Sequence, residues 1–490
     1  MQRKLIIITV LMFCSISIIG QKLSTHNYQK MNFQKEVHLQ HSKNIGSDFI
    51  LPLQTVDSIK LIKSVFGYLP DWEYGEDMHQ FIKYDLITHI ACFDFHVNSD
   101  GRINNPNYWP WTDVINKAHS FGVKVILCAT NFNPDSIRTI ISNLDSRSNF
   151  FEQAKSKIEE FELDGINIDF ENLYDNDEGK PINSFMSGLA EFIHAELPGK
   201  EVSFAAPPIN WNNDWNFYDL VKNCDYVFVM AYDFNGSWSA ASGPSAPLTG
   251  GLFNLTSALN VDYADVIKAF PSKLILGIPY YGSHWITKSS EARSEVIEFI
   301  DSPRFKDTQP SANLHGILWD NLSQTPWFRS QDSVWNQTWF DNEVSIGLKY
   351  DVAISKNLKG VGMWALGYDG NRNELWNLID EKFGSGVLPL HLITDDFKLY
   401  PNFPNPFNEG TNIIFNIPEP GAAKIQIFDL AGQLIFAHEE YYSRQLNWYY
   451  WNGRGLAGRI PASGTYFCKV TYISEQDRRK EQTIKFLLLK

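Results

Sequence analysis

One stretch of the chain alternates apolar and polar residues, and it reads Leu163-Asp164-Gly165-Ile166-Asn167-Ile168-Asp169-Phe170-Glu171-Asn172. A period of two predicts a β-strand that turns Asn167, Asp169 and Glu171 to one face and apolar residues to the other. The apolar face would meet helices and the polar face would point into a barrel, where an unpaired carboxylate costs several kcal/mol. A row that ends in two acids therefore indicates charge chemistry in preference to packing.

Eight strand-like runs, this one included, alternate with helical stretches along the chain. The strand-like runs cover residues 64–68, 86–95, 123–130, 165–171, 202–207, 226–232, 274–280 and 360–366. The helical stretches include residues 149–161, 183–197, 253–269 and 343–357. Eight such alternations predict an α/β fold, a (β/α)8 TIM barrel, with its catalytic residues at the C-terminal ends of the strands. About 80 residues separate strands seven and eight, which is more than one helical crossover needs and predicts an inserted subdomain.

The first 20 residues have the pattern of a secretory signal peptide. A basic start is followed by an apolar run over residues 5–19 and by the small residue Gly20. A membrane anchor would need about 20 apolar residues without polar ones, whereas this run contains Thr9, Ser15 and Ser17. We therefore expect an exported protein with no stable transmembrane segment.

Shifts in composition indicate the other boundaries. Residues 21–62 are polar and lack periodicity, which predicts a loosely ordered leader. The barrel domain is expected over residues 63–384, and a Gly- and Pro-containing linker over residues 385–395. Residues 396–490 contain only period-two runs and turn residues, which predict a small C-terminal β-sandwich.

Composition narrows the class of protein. The chain has 490 residues, a net charge of -14 and 44% hydrophobic residues, so disorder cannot be its main state. The acidic balance disfavours nucleic acid as a partner. The 15 Trp and 21 Tyr exceed the usual need of packing and suit flat ligands such as sugar rings.

The cysteines give no sign of a metal or redox site. Cys14 would leave with the signal peptide, and Cys92, Cys128, Cys224 and Cys468 stand far apart in apolar runs. We expect these four to be buried small hydrophobes. With no His/Cys cluster and no phosphate-binding glycine loop, no metal or nucleotide cofactor is implied.

Asp169 and Glu171, the two acids of this strand, are expected to have different roles in catalysis. Because Asp169 and Glu171 lie two residues apart on one strand, each polarises the other. Glu171, the outermost, is expected to hold a proton near neutral pH and to act as a general acid. Asp169 would orient and stabilise a nucleophile that comes from elsewhere.

Several strings, in order along the chain, resemble one enzyme family. Residues Asp164 to Glu171 are similar to the Asp-Gly-x-Asp-x-Asp-x-Glu signature of glycoside hydrolase family 18, the chitinase family, with Asn167 at one acidic position. The resemblance covers residues 63–384. Further strings that carry it are Phe66-Gly67-Tyr68, Met230-Ala231-Tyr232-Asp233, Gly277-Ile278-Pro279-Tyr280-Tyr281-Gly282 and Gly360-Val361-Gly362-Met363-Trp364-Ala365-Leu366-Gly367.

The resemblance implies substrate-assisted retaining hydrolysis, in which the N-acetyl carbonyl of the sugar attacks the anomeric carbon. It implies that Glu171 is the acid and later the base, that Asp169 holds the N-acetyl group, and that Tyr232 hydrogen-bonds the carbonyl oxygen. Trp364 would form the floor under the sugar. The other residues that it places at the substrate are Tyr68, Asn167, Met230, Asp233 and Tyr280. For Trp364 and Tyr68, packing in the barrel core is the alternative.

Asn167 is a departure from the commoner family pattern. An amide cannot pass protons as a carboxyl group can, but it can still offer a hydrogen bond to Asp169. The Asn form is similar to the pattern of spore-cortex lytic and chitobiase-like members of the family. Peptidoglycan therefore stays open as a substrate beside chitin.

Tryptophans fall in or near the loops that follow the predicted strands, which suits the stacking of successive sugar rings along a cleft. Trp72, Trp238 and Trp285 are expected to contact substrate. The positions left open between substrate contact and core packing are Trp109, Trp111, Trp211 and Trp215.

The C-terminal strings resemble a second family, the type A C-terminal sorting domain of the type IX secretion system. They are Leu399-Tyr400-Pro401-Asn402-Phe403-Pro404-Asn405-Pro406-Phe407-Asn408, Ile425-Gln426-Ile427-Phe428-Asp429, Ser463-Gly464-Thr465-Tyr466-Phe467 and the final residues 483–490. The resemblance implies export by the type IX machinery across an outer membrane to a secreted or cell-surface location. A fibronectin-like or sugar-binding sandwich is the alternative.

Three functions are therefore in competition. The first is a secreted glycosidase that cleaves β-1,4 bonds beside N-acetylglucosamine in chitin or its oligomers. The second is an N-acetylglucosaminidase directed to peptidoglycan or N-glycans. The third is a non-catalytic chitin-binding lectin, which would be expected to lack the acid that Glu171 supplies.

Overall fold

The computed structural model describes residues 25–33, 50–54, 61–384, 397–399, 402, 407, 410–442, 446–459, 461–476 and 478–489. The predicted signal peptide, Cys14 and the predicted linker lie outside the described residues. The chain divides into two compact units, Met1–Gly386 and Val387–Lys490.

The first unit is built on a closed barrel of eight parallel strands, so the predicted fold is confirmed. Strands are numbered in chain order, and the order around the barrel is β1-β13-β7-β6-β5-β4-β3-β2. The barrel strands are β1 Ser64–Pro70, β2 His89–His96, β3 Lys124–Asn131, β4 Gly165–Phe170, β5 Glu201–Ala206, β6 Tyr226–Val229, β7 Leu274–Pro279 and β13 Gly360–Trp364.

The helices of the first unit are also numbered in chain order, and most of them follow the barrel strands along the chain. They are α1 Thr25–Phe33, α2 Asp71–Gly75, α3 Thr112–Ser120, α4 Pro134–Ser142, α5 Leu144–Glu160, α6 Lys180–Glu196, α7 Phe217–Asn223, α8 Leu255–Ser257, α9 Ala264–Ala269, α10 Phe305–His315, α11 Glu343–Ser355 and α12 Glu374–Phe383. Side-chain caps fix several of their N-termini. Asn143 accepts from the Ser146 amide at the start of α5, and Asn342 and Ser345 form a reciprocal capping box at the start of α11.

Aromatic rings fill the inside of the barrel below its mouth. Phe228 on β6 packs with the rings of Phe66 and Tyr68 on β1 at 5.6 and 5.0 Å between centroids. Gly277 and Gly362 on the neighbouring strands make room for Phe228, because a Cβ at either position would lie 2.4 Å from its ring carbons. The core is therefore packed solid beneath the site, as is usual in such barrels.

The predicted insertion between barrel strands seven and eight is confirmed as an antiparallel sheet with one helix, α10. Its strand order is β10-β11-β12-β8-β9. A small core of Trp285, Trp327 and Trp339 holds it together. The strands are β8 Ser283–Thr287, β9 Val296–Asp301, β10 Leu318–Asp320, β11 Thr325–Gln331 and β12 Trp335–Trp339.

The predicted leader contains an element that the sequence did not indicate. Residues 25–33 form helix α1, and its residues His26 and Gln29 are buried. The prediction of a loosely ordered segment is therefore wrong for this stretch. The reason is that the buried face of α1 is polar, so no hydrophobic period marks it.

The second unit consists of antiparallel strands in two sheets, in agreement with the predicted small β domain. The sheet orders are β14-β15-β18 and β17-β16-β19-β20. One core, which includes Ile413, Ile425 and Trp451, lies within this unit. The strands are β14 Lys398–Leu399, β15 Thr411–Asn416, β16 Gly421–Phe428, β17 Leu434–Tyr442, β18 Leu446–Trp451, β19 Gly464–Ser474 and β20 Arg479–Leu488.

Cys92, Cys128, Cys224 and Cys468 are free and buried, as expected. Among the described residues, no helix has both the length and the apolar character needed to cross a membrane.

Candidate active site

The polar row of β4 opens at the C-terminal mouth of the barrel. Asn167 and Asp169 are fully buried, while the side chain of Glu171, just beyond the strand, keeps 13% exposure. The alternation predicted from the sequence therefore sends all three side chains into the barrel. Glu171 is the one of the three that reaches solvent.

Asn167 is held from both ends of its amide. Its oxygen accepts a hydrogen bond from the Tyr68 hydroxyl at 2.9 Å, and its nitrogen donates to Ser203 Oγ at 2.9 Å. The expected hydrogen bond to Asp169 is not formed among the described residues. The amide is instead committed to β1 and β5, so Asn167 supports the floor of the site beneath the acids.

Tyr232 and Asp233 follow β6, which is separated from β4 by one strand, β5. Burial, and then the nearby Asp169 carboxylate, raise the pKa of Tyr232 well above its usual value. Tyr232 therefore keeps its hydroxyl proton and can donate it in a hydrogen bond. The Asp233 carboxylate accepts from the Tyr281 hydroxyl at 2.6 Å and from Ser245 Oγ at 3.2 Å.

Trp364 closes the site from β13. Its ring lies 5.5 Å from Tyr68 and 6.4 Å from Trp72, centroid to centroid. Trp364 and Tyr68 are both fully buried and pack with neighbouring rings, and their contact with substrate stays a prediction. Trp72 is buried at the edge of the same aromatic floor.

Two of the predicted substrate residues are not in the site. Tyr280 points outward from the barrel, and its hydroxyl meets that of Tyr350 on α11 at 3.3 Å. Trp285 is fully buried in the core of the insertion. These two predictions are wrong, since neither ring is open to a ligand. Met230 is partly buried against the barrel core, and Trp238 is 42% exposed in the loop after β6.

Tyr281 is a site residue that the sequence reasoning missed. Its hydroxyl binds Asp233, and its ring lies 6.1 Å from Tyr232. The sequence did contain a signal for Tyr281. Gly277 on β7 faces the barrel interior, and every second residue of a strand faces the same side, so Tyr281 is expected to face the interior as well.

Helix α1 fills the mouth of the barrel with His26. The imidazole Nδ1 lies 3.1 Å from Asp169 Oδ2 and 2.9 Å from Glu171 Oε1, and Nε2 lies 3.0 Å from the Tyr232 hydroxyl. The same ring stacks on Trp364 with 3.6 Å between centroids and an interplanar angle of 20°. His26 therefore touches four of the residues that the sequence assigned to the site.

Other residues of α1 extend these contacts. Gln29 Oε1 accepts hydrogen bonds from Trp364 Nε1 at 2.7 Å and from the Tyr368 hydroxyl at 2.8 Å. Lys30 forms an ion pair with Asp94 at the end of β2.

The far end of α1 reaches α10 and the insertion. The Arg304 guanidinium lies over the Phe33 ring at 4.1 Å, and the Tyr28 ring lies 6.3 Å from Phe299. Helix α1 therefore bridges the barrel mouth and the insertion.

The charges around His26 favour its protonated form. Burial disfavours the imidazolium, but the carboxylates of Glu171 and Asp169 outweigh it and raise the pKa of His26 to about 10. These three residues are also the one grouping, among the described residues, with ligand atoms close enough to share a metal ion. The imidazole Nδ1 makes a hydrogen bond of 3.1 Å with Asp169 Oδ2 and an ion-pair contact of 2.9 Å with Glu171 Oε1.

Comparison with known proteins decides the family. Residues 64–369, well over half of the chain, match the family model described as Glycosyl hydrolases family 18. The chain belongs to glycoside hydrolase family 18. It is therefore a glycosidase, and the strand ends described above lie within the matched range.

Residues 401–484 match a second model, described as Secretion system C-terminal sorting domain. The predicted type IX sorting domain is thus confirmed. A domain of this kind points to export and to a secreted or cell-surface location.

Relatives and solved structures agree with the family. Di-N-acetylchitobiase of Rattus norvegicus is 28% identical over 280 residues, which are 50% of this chain and 71% of the relative. The family 18 chitinase of Cycas revoluta, solved with (GlcNAc)3, aligns with a TM-score of 0.60 at 20% identity over 65% of this chain and 99% of that one. The Bacillus cereus spore cortex-lytic enzyme SleL aligns with a TM-score of 0.56 at 19% identity over 66% and 74%. At these identities the two structures support the fold.

Proposed function

We propose that this family 18 glycosidase cleaves β-1,4 bonds beside N-acetylglucosamine in chitin or chito-oligosaccharides by substrate-assisted retention. One observation carries the proposal. A single five-membered ring, that of His26, lies within 3.1 Å of Asp169, Glu171 and Tyr232 at once. An N-acetyl group and its anomeric carbon, which are of similar size, would reach the same three side chains.

In the first step, Glu171 gives a proton to the glycosidic oxygen as the bond to the anomeric carbon breaks. The N-acetyl carbonyl oxygen attacks that carbon, which yields a cyclic oxazolinium ion and a free sugar hydroxyl on the leaving side. Asp169 accepts the amide N–H, and Tyr232 donates to the carbonyl oxygen, so both hold the nucleophile in line.

In the second step, water attacks the anomeric carbon from the side that the leaving sugar vacated. Glu171, now a carboxylate, takes a proton from that water, and the oxazolinium ring opens to restore the N-acetyl group. Two displacements at one carbon return the original β configuration. Trp364 would lie under the sugar ring as an apolar floor throughout.

Chitin-type substrates are favoured by the relatives. Di-N-acetylchitobiase is similar over half of this chain, and Asn167 stands where the commoner pattern has Asp. The likeness to the spore cortex-lytic enzyme is one of fold. We therefore place chitin oligomers ahead of peptidoglycan.

The test is to incubate the purified protein with chitin oligomers and, separately, with peptidoglycan, and to identify the products by mass spectrometry. Release of chitobiose units from chitin oligomers is the expected result. Cleavage of peptidoglycan alone would overturn the substrate assignment. Binding of chitin without any cleavage would contradict the enzymatic proposal and favour a lectin.

A further inference from the structure

Helix α1 lies where the proposed function requires a sugar. We propose that α1, Thr25–Phe33, is a built-in inhibitor of this enzyme, which occupies the sugar-binding site and must leave before a glycan is cleaved. The inference rests on the proposed function for the identity of the displaced ligand. It is carried by the contacts of His26, Gln29 and Lys30.

His26 and a sugar cannot occupy the site together. The imidazole lies on Trp364 at 3.6 Å, which is van der Waals contact, so no ring fits between them. Trp364 and His26 are 0% and 1% exposed as a result. The indole N–H of Trp364 is also taken, because Gln29 accepts its hydrogen bond.

The polar contacts of His26 reach side chains that would hold the N-acetyl group. Its Nδ1 meets both acids, and its Nε2 meets the Tyr232 hydroxyl. Nδ1–H stands where the amide N–H would donate to Asp169. At Tyr232 the direction is reversed, because protonated Nε2 donates to the hydroxyl that would donate to the carbonyl oxygen. A protonated ring donates from both nitrogens and neutralises charge that the empty site would leave between two carboxylates. The pKa of His26, raised to about 10, keeps the ring protonated at neutral pH.

The face of α1 that meets the barrel is mainly polar, whereas a helix packed on a hydrophobic core has an apolar face. Residues 26, 29, 30 and 33 follow helical spacing and face the site, and three of the four are polar. Met31 and Asn32 on the other side are exposed. A helix that only packed on the barrel would turn apolar side chains inward, whereas α1 turns a histidine, an amide and a lysine toward carboxylates and hydroxyls.

Contacts at several points hold α1 across the site. Lys30 pairs with Asp94 on β2, and Phe33 lies under Arg304, which itself pairs with Glu73 at 3.0 Å. Because α1 is joined to β1 by residues 34–63 of the same chain, its effective concentration at the site is set by that connection and does not fall on dilution. A soluble glycan must compete with that concentration, so inhibition should show mainly as a raised KM.

The decisive experiment compares three full-length variants with the parent protein on a fluorogenic chitobioside. His26→Ala and the pair His26→Ala/Lys30→Ala remove contacts with the site, and Met31→Ala changes the exposed side of the same helix as the matched control. We expect kcat/KM to rise at least tenfold in the first two, through a lower KM, and to stay within twofold in Met31→Ala. Unchanged or reduced kcat/KM in both His26 variants would overturn the inference.

Added peptide keeps the inference testable if those variants are unstable. A synthetic peptide of residues 24–35 should inhibit the His26→Ala protein competitively, and the same peptide with alanine at position 26 should be at least tenfold weaker. Equal potency of the two peptides, or no inhibition by either, would contradict a specific inhibitor.

Binding of chitotriose separates failure of this inference from failure of the proposed function. Calorimetric titration should show tighter binding to His26→Ala than to the parent protein, whether or not hydrolysis occurs. Tighter binding without hydrolysis would retain the inhibitory helix and reject the proposed reaction. Hydrolysis with equal binding and equal rates in parent and variant would retain the reaction and reject the inhibitor.

Discussion

The two acids on β4 differ in their access to water. The Asp169 side chain is fully buried, whereas that of Glu171 is 13% exposed at the mouth. A residue that gives up and regains a proton in every turnover needs a path to solvent, and Glu171 has one. The exposure therefore supports Glu171 as the acid and base, and Asp169 as the residue that holds the N-acetyl group.

Replacement of Glu171 by Gln is the first prediction at this scale. Turnover should fall at least ~100-fold, because the amide cannot supply the proton, while chitotriose binding should persist. Rates come from a fluorogenic chitobioside and affinities from calorimetry. A rate close to that of the parent protein would refute the assignment of the acid.

The second prediction compares Tyr232, which lies in the site, with Tyr280, which lies outside it and serves as the control. Tyr232→Phe should lower kcat by roughly 10- to 100-fold, since it removes one donor from the oxygen that develops charge. Tyr280→Phe should leave kcat within twofold, because its hydroxyl faces Tyr350 on α11. Steady-state kinetics of both variants provide the check, and equal effects of the two changes would contradict the site as described.

At single positions, sequence reasoning depends on how clearly the period of a strand shows which side chains face the barrel interior. It placed Asp169, Glu171, Tyr232 and Trp364 at one site, and the structure brings these four side chains together around His26. It chose Tyr280 over Tyr281, although the inward face of β7, marked by Gly277, leads to Tyr281. It also misjudged Trp285, because a tryptophan in a loop and one in the core of an inserted sheet look alike in a sequence.

At the scale of the elements, one carboxylate, that of Glu201, links the N-terminal ends of three barrel strands. Glu201 opens β5, and it binds His89 at the start of β2, at 3.1 Å, and Lys124 at the start of β3. Burial alone would raise the pKa of Glu201, but the hydrogen bonds and charges of His89 and Lys124 outweigh it and lower that pKa to about 2. The clamp lies at the face of the barrel opposite the site, where residues serve stability.

The lowered pKa of Glu201 predicts a pH dependence of unfolding. A carboxyl group with a depressed pKa contributes stability above its unfolded pKa, near 4.5, and loses that contribution as the pH falls toward 2. Glu201→Gln should therefore lower the free energy of unfolding by about 3 kcal/mol at pH 7, and by much less at pH 2. Urea titrations followed by tryptophan fluorescence measure both values.

Glu196→Gln is the matched control, because Glu196 is 46% exposed in a surface ion pair with Lys155. It should change the free energy of unfolding by less than about 0.5 kcal/mol at either pH. A loss at Glu201 that is the same at pH 7 and pH 2 would argue against a charged clamp.

The eight barrel strands could be predicted because each is an apolar run of strand length between helical stretches. Helix α1 could not, because its inward residues are polar and its partners are polar groups contributed by distant strands. Hydrophobic periodicity records burial against apolar surface, so it does not report an element that binds a polar site.

For the whole molecule, the two units have separate hydrophobic cores. We expect two unfolding transitions on heating, and removal of Val387–Lys490 should abolish one and leave the other at the same temperature. The rate on a chitobioside should stay unchanged. Differential scanning calorimetry provides the test, and a shift of more than a few degrees in the remaining transition would show that the units stabilise each other.

The anomeric configuration of the first product tests the central claim most directly. Chito-oligosaccharide hydrolysis is started in an NMR tube, and the anomeric protons are recorded before mutarotation equilibrates them. Substrate-assisted retention by Asp169, Glu171 and Tyr232 predicts that the β anomer forms first and decays slowly to the equilibrium mixture. Initial formation of the α anomer would mean that water attacks directly with inversion, and it would contradict the mechanism derived from this site.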